Sequence, residues 1–197
     1  MRKLFGQTLI ASAKNGEINI HYRFGKPALF VDGFDQSTEY TGTMWRKALR
    51  HLPKDFVAAQ ILMLGLGGGS AIKSILKRFP DCQLTVVEWD PVMIKLYREL
   101  YGQDQAVTII EGDATVVVPA MKETFDLVLV DLFKGNETPK ELASAEFVQA
   151  IACVTSPTGY CLLNAFVSSN LLPIFAKHFT QAETWKYRYN TLASYQR

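Results

Sequence analysis

Short apolar runs that alternate with stretches of helical periodicity fill most of this sequence and limit its fold more than any other feature. The apolar runs are 61–64, 84–87, 107–110, 127–130 and 160–163, and the helical stretches between them are 70–79, 91–101, 114–121 and 142–154. Continuous apolar runs of this length are typical of strands buried on both faces of a parallel sheet. Strands and helices in alternation form right-handed βαβ units. The sequence therefore predicts an α/β fold with a doubly wound parallel sheet, followed by a helix near 169–179 and a strand-like tail near 185–189.

The N-terminal residues have the pattern of an antiparallel sheet instead. Three strand-like runs occur there, at 7–13, 17–24 and 28–31. The first two flank Asn15-Gly16, a pair that tolerates the positive φ of a tight hairpin turn. The sequence therefore predicts a small β-sheet appendage over residues 1–36 and a larger domain over residues 37–197.

Composition excludes several classes of protein. A length of 197 residues with 48% hydrophobic residues suits one domain with a sizeable core and excludes a disordered chain. A net charge of +2 is too small for the electrostatic footprint of a nucleic-acid-binding protein. Three cysteines without CxxC spacing and three isolated histidines indicate neither a disulfide framework nor a metal site. Because the N-terminal apolar stretch is interrupted at 6–8 and no run of about 18 apolar residues occurs, we expect a soluble cytoplasmic protein.

A glycine-rich loop directly follows the first apolar run and opens a helix. It reads Gly65-Leu66-Gly67-Gly68-Gly69-Ser70. Glycines let the backbone turn sharply and approach a ligand closely, and the N-terminus of a helix offers free N–H groups. The position between a buried strand and a helix favours a nucleotide-binding loop over a simple strand–helix turn. The loop lacks the Lys-Ser/Thr ending of a P-loop, so a nucleoside triphosphate is not expected.

An acidic segment, Glu88-Trp89-Asp90-Pro91, follows the second apolar run. A carboxylate about 20 residues past such glycines can accept hydrogen bonds from both ribose hydroxyls of a nicotinamide dinucleotide or of an adenosyl cofactor. We assign that role to Glu88. Trp89 either covers an adenine face or belongs to the core. Asp90 fits the N-cap of a helix equally well, with Pro91 at the first helical position.

Two further carboxylates follow the third and fourth apolar runs. Asp113, next to Ala114, can accept a hydrogen bond from an adenine amino group, and Asp131 ends the fourth run. The ligand crevice of an open α/β sheet lies outside the carboxyl ends of its strands. One acid at such a place is usually a cap or turn residue, but three acids at consecutive strand ends favour a nucleoside site.

Together these residues resemble a class I S-adenosylmethionine-binding domain, and within that class the chain is similar to the spermidine synthase family. The similarity extends over about 17–166, and its N-terminal part contains Leu29-Phe30-Val31-Asp32-Gly33, Gln36, Thr38, Glu39, Leu49, His51, Leu52 and Pro53. The glycine loop, Glu88, Gly112-Asp113 and Asp131 also have counterparts in that family. The resemblance implies a Rossmann-like methyltransferase sheet.

The same resemblance implies roles for individual residues. Gln36 and Glu88 would contact the ribose, and Asp113 and Ala114 would contact the adenine. The region beside the sulfonium would be formed by Gly65, Gly67 and Gly69. Asp131 would be the catalytic carboxylate that accepts a proton from an attacking amine. The cofactor would be S-adenosylmethionine or its decarboxylated form, with no metal. A homodimer is also implied, since relatives associate through their N-terminal regions.

The chain departs from that family where the family binds a polycation with acids. Thr41-Gly42 replaces an acidic pair, Trp45-Arg46-Lys47 replaces Tyr-His-Glu, and Gly68 and Lys134 each replace an Asp. A carboxylate–ammonium hydrogen bond contributes about 1.5–3 kcal/mol, so losing two weakens binding roughly 10²–10⁴-fold. If Arg46, Lys47 and Lys134 face the crevice, the acceptor would be neutral or anionic. The alternative is that they lie on the solvated surface.

The leading hypothesis from the sequence is therefore an S-adenosylmethionine-dependent methyltransferase of spermidine synthase-like fold. Its acceptor would be a small molecule other than a polycation, and neither nucleic acid nor membrane is expected as a partner. Aminopropyl transfer to a diamine, in polyamine biosynthesis, is one alternative, and a non-catalytic nucleoside-binding module is another. A nicotinamide dehydrogenase is a more distant alternative, because Asp113 and the N-terminal sheet have no role in it.

Overall fold

A computed structural model describes residues 4–102, 104–133, 139–166 and 170–197, and it contains two β-sheets. The strands are β1 (Phe5–Ser12), β2 (Gly16–Arg23), β3 (Lys26–Val31), β4 (Phe34–Ser37), β5 (Gln60–Leu64), β6 (Gln83–Glu88), β7 (Val107–Glu111), β8 (Phe125–Val130), β9 (Thr155–Phe166), β10 (Gln181–Tyr187) and β11 (Asn190–Gln196). The α-helices are α1 (Glu39–Ala48), α2 (Ile72–Arg78), α3 (Pro91–Tyr101), α4 (Ala114–Ala120), α5 (Ala145–Val154) and α6 (Leu171–Phe175). Short 3₁₀ helices occupy Leu49–His51 and Lys140–Ala143. Within the described ranges, no helix has the length and apolar character needed to cross a membrane.

The larger sheet has seven strands in the order β10-β11-β9-β8-β5-β6-β7. Strands β5 to β9 run parallel to one another, whereas β11 pairs antiparallel with both β9 and β10. The doubly wound α/β fold predicted from the sequence is thus confirmed. The chain moves from β5 outward to β6 and β7, then returns to the other side of β5 with β8. This reversal places the topological switch point, where ligands of such folds bind, at the carboxyl ends of β5 and β8.

The central strand β5 separates two hydrophobic cores. Ile61 and Met63 pack with side chains of α1, α2 and α3 on one face of the sheet. Leu62 and Leu64 pack with α4, α5 and α6 on the other. All four side chains are at most 1% exposed, and each buried side chain of this size contributes about 1.5–3 kcal/mol. Burial on both faces explains why the strand appears in the sequence as a continuous apolar run.

The N-terminal sheet, in the order β1-β2-β3-β4, has one strand more than the sequence predicted. Strand β4 pairs with β3 across the Asp32-Gly33 turn, so the expected domain boundary after residue 36 falls inside a strand. The inner face of the sheet places Ile18 and Leu29 in one cluster with Met93 and Leu96 of α3. The appendage therefore packs against a helix of the larger domain.

The C-terminal part differs from the sequence prediction. The single strand-like tail expected near 185–189 is a hairpin of β10 and β11, and β11 is inserted between β9 and β10. Strand β11 contains the small buried residues Ala193 and Ser194, so it lacks the apolar run that marked the other central strands. The helix expected over 169–179 is limited to Leu171–Phe175.

Asp90 joins the N-terminal sheet to α3. It is the N-cap of α3, where its Oδ1 accepts a hydrogen bond from the Val92 N–H at 2.8 Å. Its Oδ2 accepts from Ser12 Oγ at 2.5 Å and from Asn15 Nδ2 at 2.6 Å. The side chain is fully buried. The interpretation of Asp90 as a helix cap is confirmed, and the carboxylate also holds the β1–β2 turn.

We expect Asp90→Ala to lower the free energy of unfolding by about 2–3 kcal/mol, because it removes a helix cap and leaves two partly buried donors without their acceptor. Urea denaturation would measure the loss. Asp113→Ala is the matched control, since Asp113 caps α4 but is exposed and holds only Thr115. The control should lose about 1 kcal/mol. Equal losses in the two variants would contradict the connecting role of Asp90.

Candidate functional site

A cavity of about 750 Å³ opens at the carboxyl ends of β5, β6, β7 and β8. Its wall contains Gly65, Glu88, Asp113 and Asp131, each of which lies at or just after the end of one of these strands. Residues 33–36, α1 and the turn between β10 and β11 complete the wall. The three acids that the sequence placed at consecutive strand ends therefore line a single cavity.

Glu88 is fixed by backbone groups on both sides. Its Oε2 accepts a hydrogen bond from the Leu66 N–H of the glycine loop at 2.8 Å, and its Oε1 accepts from the Asp90 N–H at 2.9 Å. The residue is only 5% exposed. Burial raises the pKa of Glu88 from an ordinary value of 4.5 to about 7, against the smaller lowering effect of the backbone hydrogen bonds. The carboxylate is thus held rigidly at the cavity wall and titrates near neutral pH.

Two glycines of the loop after β5 lie where a side chain cannot be accommodated. Gly65 has a φ of +91°, and a Cβ there would collide with the backbone oxygen of Asp131. Gly67 has a φ of +52°, and a Cβ there would lie 2.6 Å from the backbone oxygen of Gln36. Both glycines line the cavity, as does Gln36. Their lack of side chains brings the backbone of three segments together at the switch point.

Gly69, the third glycine of the predicted cofactor wall, lies elsewhere. A Cβ on Gly69 would collide with the ring of Tyr97 in α3, and the residue is absent from the described cavity wall. Gly69 therefore permits helix packing behind the loop. This close packing is the physical reason why the sequence pattern alone could not separate it from Gly65 and Gly67.

Gly68 occupies the position where the spermidine synthase family has an Asp. A Cβ on Gly68 would lie 2.5 Å from the Ser37 Cβ and 2.9 Å from a methyl group of Leu29. Ser37 is buried and its Oγ accepts a hydrogen bond from the Ser70 N–H at 3.2 Å. The packing of β4 against the loop thus leaves no space for an acid at this position.

Gly68→Ala is expected to lower the free energy of unfolding by about 1–3 kcal/mol through overpacking. Ser37→Gly removes the nearest obstructing atoms, so the added cost of Gly68→Ala should be smaller in that background. A double-mutant cycle with urea denaturation measures the difference. If the alanine costs the same in both backgrounds, the contact between Gly68 and Ser37 is not the limiting one.

Asp113 and Ala114 begin α4 at the cavity wall. The Oδ1 of Asp113 accepts hydrogen bonds from the N–H and the Oγ1 of Thr115, at 2.8 and 2.7 Å. Asp113 is therefore an N-cap, which was the alternative to a ligand contact, and it also faces the cavity. Trp89 lines the cavity as well, with the Lys14 ammonium 5.3 Å from its ring centre.

Asp131 receives a hydrogen bond on each carboxylate oxygen. Trp45 Nε1 donates to Oδ2 at 2.7 Å, and Asn164 Nδ2 donates to Oδ1 at 2.9 Å. Trp45 is fully buried and Asn164 is 5% exposed. Burial raises the pKa of Asp131, and the two donors oppose this effect. The carboxylate is therefore held in one orientation within the cavity wall.

The polar surroundings of Asp131 include residues that sequence reasoning missed. Asn164 accepts on its Oδ1 from Asn190 Nδ2 at 2.9 Å, and Asn190 accepts on its Oδ1 from the Tyr40 hydroxyl at 2.5 Å. All three residues line the cavity. Asn164 directly follows the apolar run 160–163, so a rule that accepted amides as well as acids after apolar runs would have selected it. Tyr40 and Asn190 come from a helix and a hairpin that carried no such signal.

The charge of the cavity wall differs from one expectation drawn from the sequence. Among the described residues that line it, five have carboxyl groups and none is Lys, Arg or His; the acids are Asp35, Glu88, Asp113, Asp131 and Glu141. Arg46 and Lys47 are exposed and lie outside this wall. Of the two alternatives left open for these residues, the solvated surface is the one observed, because Trp45 is the residue of this α1 segment that faces Asp131. Lys134 lies outside the described residues.

The strand order, the glycine loop and the acids at the strand ends define a class I S-adenosylmethionine-dependent transferase fold. The family model described as a methyltransferase domain matches residues 61–159. The chain belongs to this methyltransferase domain family.

Comparison with individual proteins shows similarity to polyamine aminopropyltransferases. A polyamine aminopropyltransferase from Vibrio vulnificus is 32% identical over 117 residues, which are 57% of this chain and 39% of that protein. Another from Sulfolobus acidocaldarius is 28% identical over 174 residues, 83% of this chain and 57% of that protein. The chain thus covers from about two fifths to about three fifths of the length of these relatives.

A solved structure confirms the resemblance at the level of the fold. A spermidine synthase in complex with the transition-state analogue AdoDATO superimposes with a TM-score of 0.78 at 16% identity. The match covers 96% of this chain and 72% of that one. The fold is therefore spermidine synthase-like, as the sequence predicted.

Proposed function

We propose that this chain binds an adenosyl sulfonium donor and transfers its aminopropyl group to an amine. The observation that carries the proposal is the acidic cavity wall, with five carboxyl groups and no basic side chain among its described residues. Decarboxylated S-adenosylmethionine has a sulfonium and an ammonium group but no carboxylate, so its charge complements this wall better than that of S-adenosylmethionine. The similarity to polyamine aminopropyltransferases supports the same choice.

Glu88, Asp113 and Gln36 are the groups that we assign to the nucleoside. Glu88 would accept hydrogen bonds from the two ribose hydroxyls, with Gln36 on the same sugar. Asp113 uses Oδ1 for its cap, so Oδ2 is the atom that would accept from the adenine amino group. Trp89 and Ala114 would contact the adenine, and Gly65 and Gly67 would lie beside the sulfonium.

Asp131 is the group that we assign to the chemical step. The lone pair of the amine attacks the aminopropyl carbon that is bonded to sulfur. The bond between this carbon and sulfur breaks, and sulfur retains its electron pair. The products are a neutral thioether nucleoside and an alkylated amine, whose nitrogen gives its proton to Asp131. The hydrogen bonds from Trp45 and Asn164 fix the direction of the carboxylate, and the cavity holds the two reactants close together.

Incubation with decarboxylated S-adenosylmethionine and putrescine tests the proposal, and chromatography should detect methylthioadenosine together with a new polyamine. Calorimetry with S-adenosylmethionine, S-adenosylhomocysteine and methylthioadenosine supplies an independent measure of donor binding. Absence of binding by all three ligands at sub-millimolar concentration would overturn the nucleoside site. Binding without polyamine formation over a long incubation would overturn aminopropyl transfer alone.

Methyl transfer to a small acceptor is the second candidate. It is favoured by Thr41-Gly42 and Gly68, where the resembled family has acids for its polycation, and Gly68 has no space for one. Radiolabelled S-adenosylmethionine and a panel of small amines and carboxylates would separate the two reactions. Label transfer from S-adenosylmethionine, without product from the decarboxylated donor, would favour the methyltransferase. A non-catalytic module would bind nucleoside without turnover of either donor.

A further inference from the structure

A line of hydrogen bonds joins the cavity acid to the C-terminal hairpin. It starts at Asp131, passes through Asn164 and Asn190, and ends at the hydroxyl of Tyr40 in α1. Asn190 is the first residue of β11 and is 6% exposed. The assigned chemistry at Asp131 does not itself require a group this far from the carboxylate.

The line has one consistent polarity while Asp131 is ionised. An ionised carboxylate only accepts hydrogen bonds, so Asn164 must present its N–H₂ group to Asp131 and its oxygen to Asn190. Asn190 must then present its own N–H₂ group to Asn164 and its oxygen to Tyr40. Burial raises the pKa of the Tyr40 phenol, so its hydroxyl stays protonated and is able to donate. Asn190 thus holds the Asn164 oxygen away from the cavity acid, in the orientation that the ionised carboxylate also favours.

Aromatic and cationic contacts fix the hairpin turn against α1. The rings of Tyr187 and Tyr40 stack with centres 5.4 Å apart. The Arg188 guanidinium lies 5.5 Å from the Tyr40 ring centre, and the Lys47 ammonium lies 4.8 Å from that of Tyr187. Arg188 also has a φ of +51°, which places the turn in the left-handed region. The turn is therefore held where Asn190 can reach Asn164.

We propose that Asn190 is a positioning residue, which orients the Asn164 amide so that its N–H₂ group faces the Asp131 carboxylate. The hairpin between β10 and β11 then belongs to the active site although Asn190 does not touch Asp131 itself. The orientation can be tested without substrate, and only its kinetic consequence rests on the proposed function.

Other titratable groups near Asp131 are expected to affect its titration equally in the wild-type protein and in the variants. Those on the cavity wall are Glu88 at the end of β6, Asp113 before α4, Asp35 in β4, Glu141 after β8 and Tyr40 in α1. Tyr187 and Arg188 pack on the far end of the line. A substitution of Asn190 leaves all of these groups in place, so it isolates the contribution of the amide.

The indole N–H of Trp45 reports on the ionisation of Asp131, because it donates to the same carboxylate. Its resonance is identified in ¹H–¹⁵N spectra of the full chain by its disappearance in Trp45→Phe, and it is followed from pH 4 to pH 9. In Asn190→Leu the Asn164 oxygen loses the N–H donor of Asn190, so the amide is held less firmly and its hydrogen bond to the ionised carboxylate weakens. We expect the titration to move upward by about one pH unit.

Asn190→Ala is the second variant and Thr191→Val is the matched control on the same strand. Asn190→Ala also removes the donor to Asn164 without adding a charge near Asp131, so an upward shift is again expected. Thr191→Val should titrate like the wild-type protein. A Trp45 resonance with the same pH dependence in the wild type and in every folded Asn190 variant, including no titration in any of them, would overturn the proposal.

A kinetic measurement separates this inference from the proposed function. With decarboxylated S-adenosylmethionine and putrescine, Asn190→Leu should lower kcat about tenfold and change KM for the donor less than threefold. A wild-type protein without turnover would contradict aminopropyl transfer, while the titration would still decide the role of Asn190. If Asn190→Leu shifted the titration but kept the wild-type kcat, Asn190 would position Asn164 without a catalytic consequence. That result would overturn the assignment of the hairpin to the active site.

Discussion

Asp131→Asn is expected to lower kcat for aminopropyl transfer by about 10²–10⁴-fold, the usual contribution of a positioned general base. The amide is close in size to the carboxylate but cannot accept the proton that the amine releases. Asp131 contacts Trp45 and Asn164 in the protein, and we assign no nucleoside contact to it. The affinity for methylthioadenosine, measured by calorimetry, should therefore change less than about threefold.

Asp126→Asn is the matched control for Asp131→Asn. Asp126 lies on the same strand, β8, but at its opposite end, where Oδ2 accepts from the N–H groups of Ala59 and Gln60. This variant should keep the wild-type kcat. If Asp131→Asn retained more than about a tenth of the wild-type kcat while remaining folded by urea denaturation, Asp131 would not be the base.

Glu88 is expected to make nucleoside binding dependent on pH. The ionised carboxylate accepts hydrogen bonds from two hydroxyls better than the protonated form, and its pKa in the ligand-free protein is about 7. The affinity for methylthioadenosine, which has no charge of its own near neutral pH, should therefore rise as pH increases through 7 and level off above it. Glu88→Gln should bind about 30-fold more weakly at pH 8, since about 2 kcal/mol is lost with one charged acceptor. Calorimetry at pH 6, 7 and 8 measures both effects.

The same carboxylate should affect stability with the opposite dependence on pH. A folded-state pKa that is raised from 4.5 to about 7 favours the protonated form in the folded protein. This contribution is fully present below about pH 4.5 and is lost as pH rises through 7. Relative to Glu88→Gln, the wild-type free energy of unfolding should fall by up to about 3 kcal/mol across that range.

Glu111→Gln is the control for both measurements on Glu88. Glu111 lies beside Glu88 in the register of β6 and β7, but it is exposed and outside the described cavity wall. It should reproduce the pH dependence of the wild-type protein in binding and in stability. A wild-type affinity that is flat from pH 6 to pH 8 would contradict the assignment of the ribose to Glu88.

Some elements could be placed from the sequence because their signals are local. Asp90 followed by Pro91 marks a helix start, and α3 indeed spans Pro91–Tyr101. Strand β5 is apolar on both faces because it is buried on both. Strand β4 was missed because Phe34–Ser37 contains one apolar residue and pairs only after the Asp32-Gly33 turn has formed.

In the candidate site, too, some residues could be identified from local sequence signals and others could not. Glu88, Asp113 and Asp131 could be selected together because the carboxyl ends of parallel strands always meet at one edge of a sheet. The orientation of Arg46 and Lys47 could not, because it depends on Trp45 being the α1 residue that packs toward Asp131. Gly65, Gly67 and Gly69 look alike in the sequence, whereas their different roles depend on what packs against each one.

The amino-acid order by itself determined that apolar segments pair into a central parallel sheet and that acids follow them, since periodicity and chain connectivity are properties of neighbouring residues. Only the tertiary structure decided that Asn190 and Tyr40 are linked to Asp131 through Asn164, that Glu88 titrates near pH 7, and that the cavity wall carries acids without bases among its described residues. These features arise from burial and from contacts between segments far apart in the chain, and no local pattern encodes either.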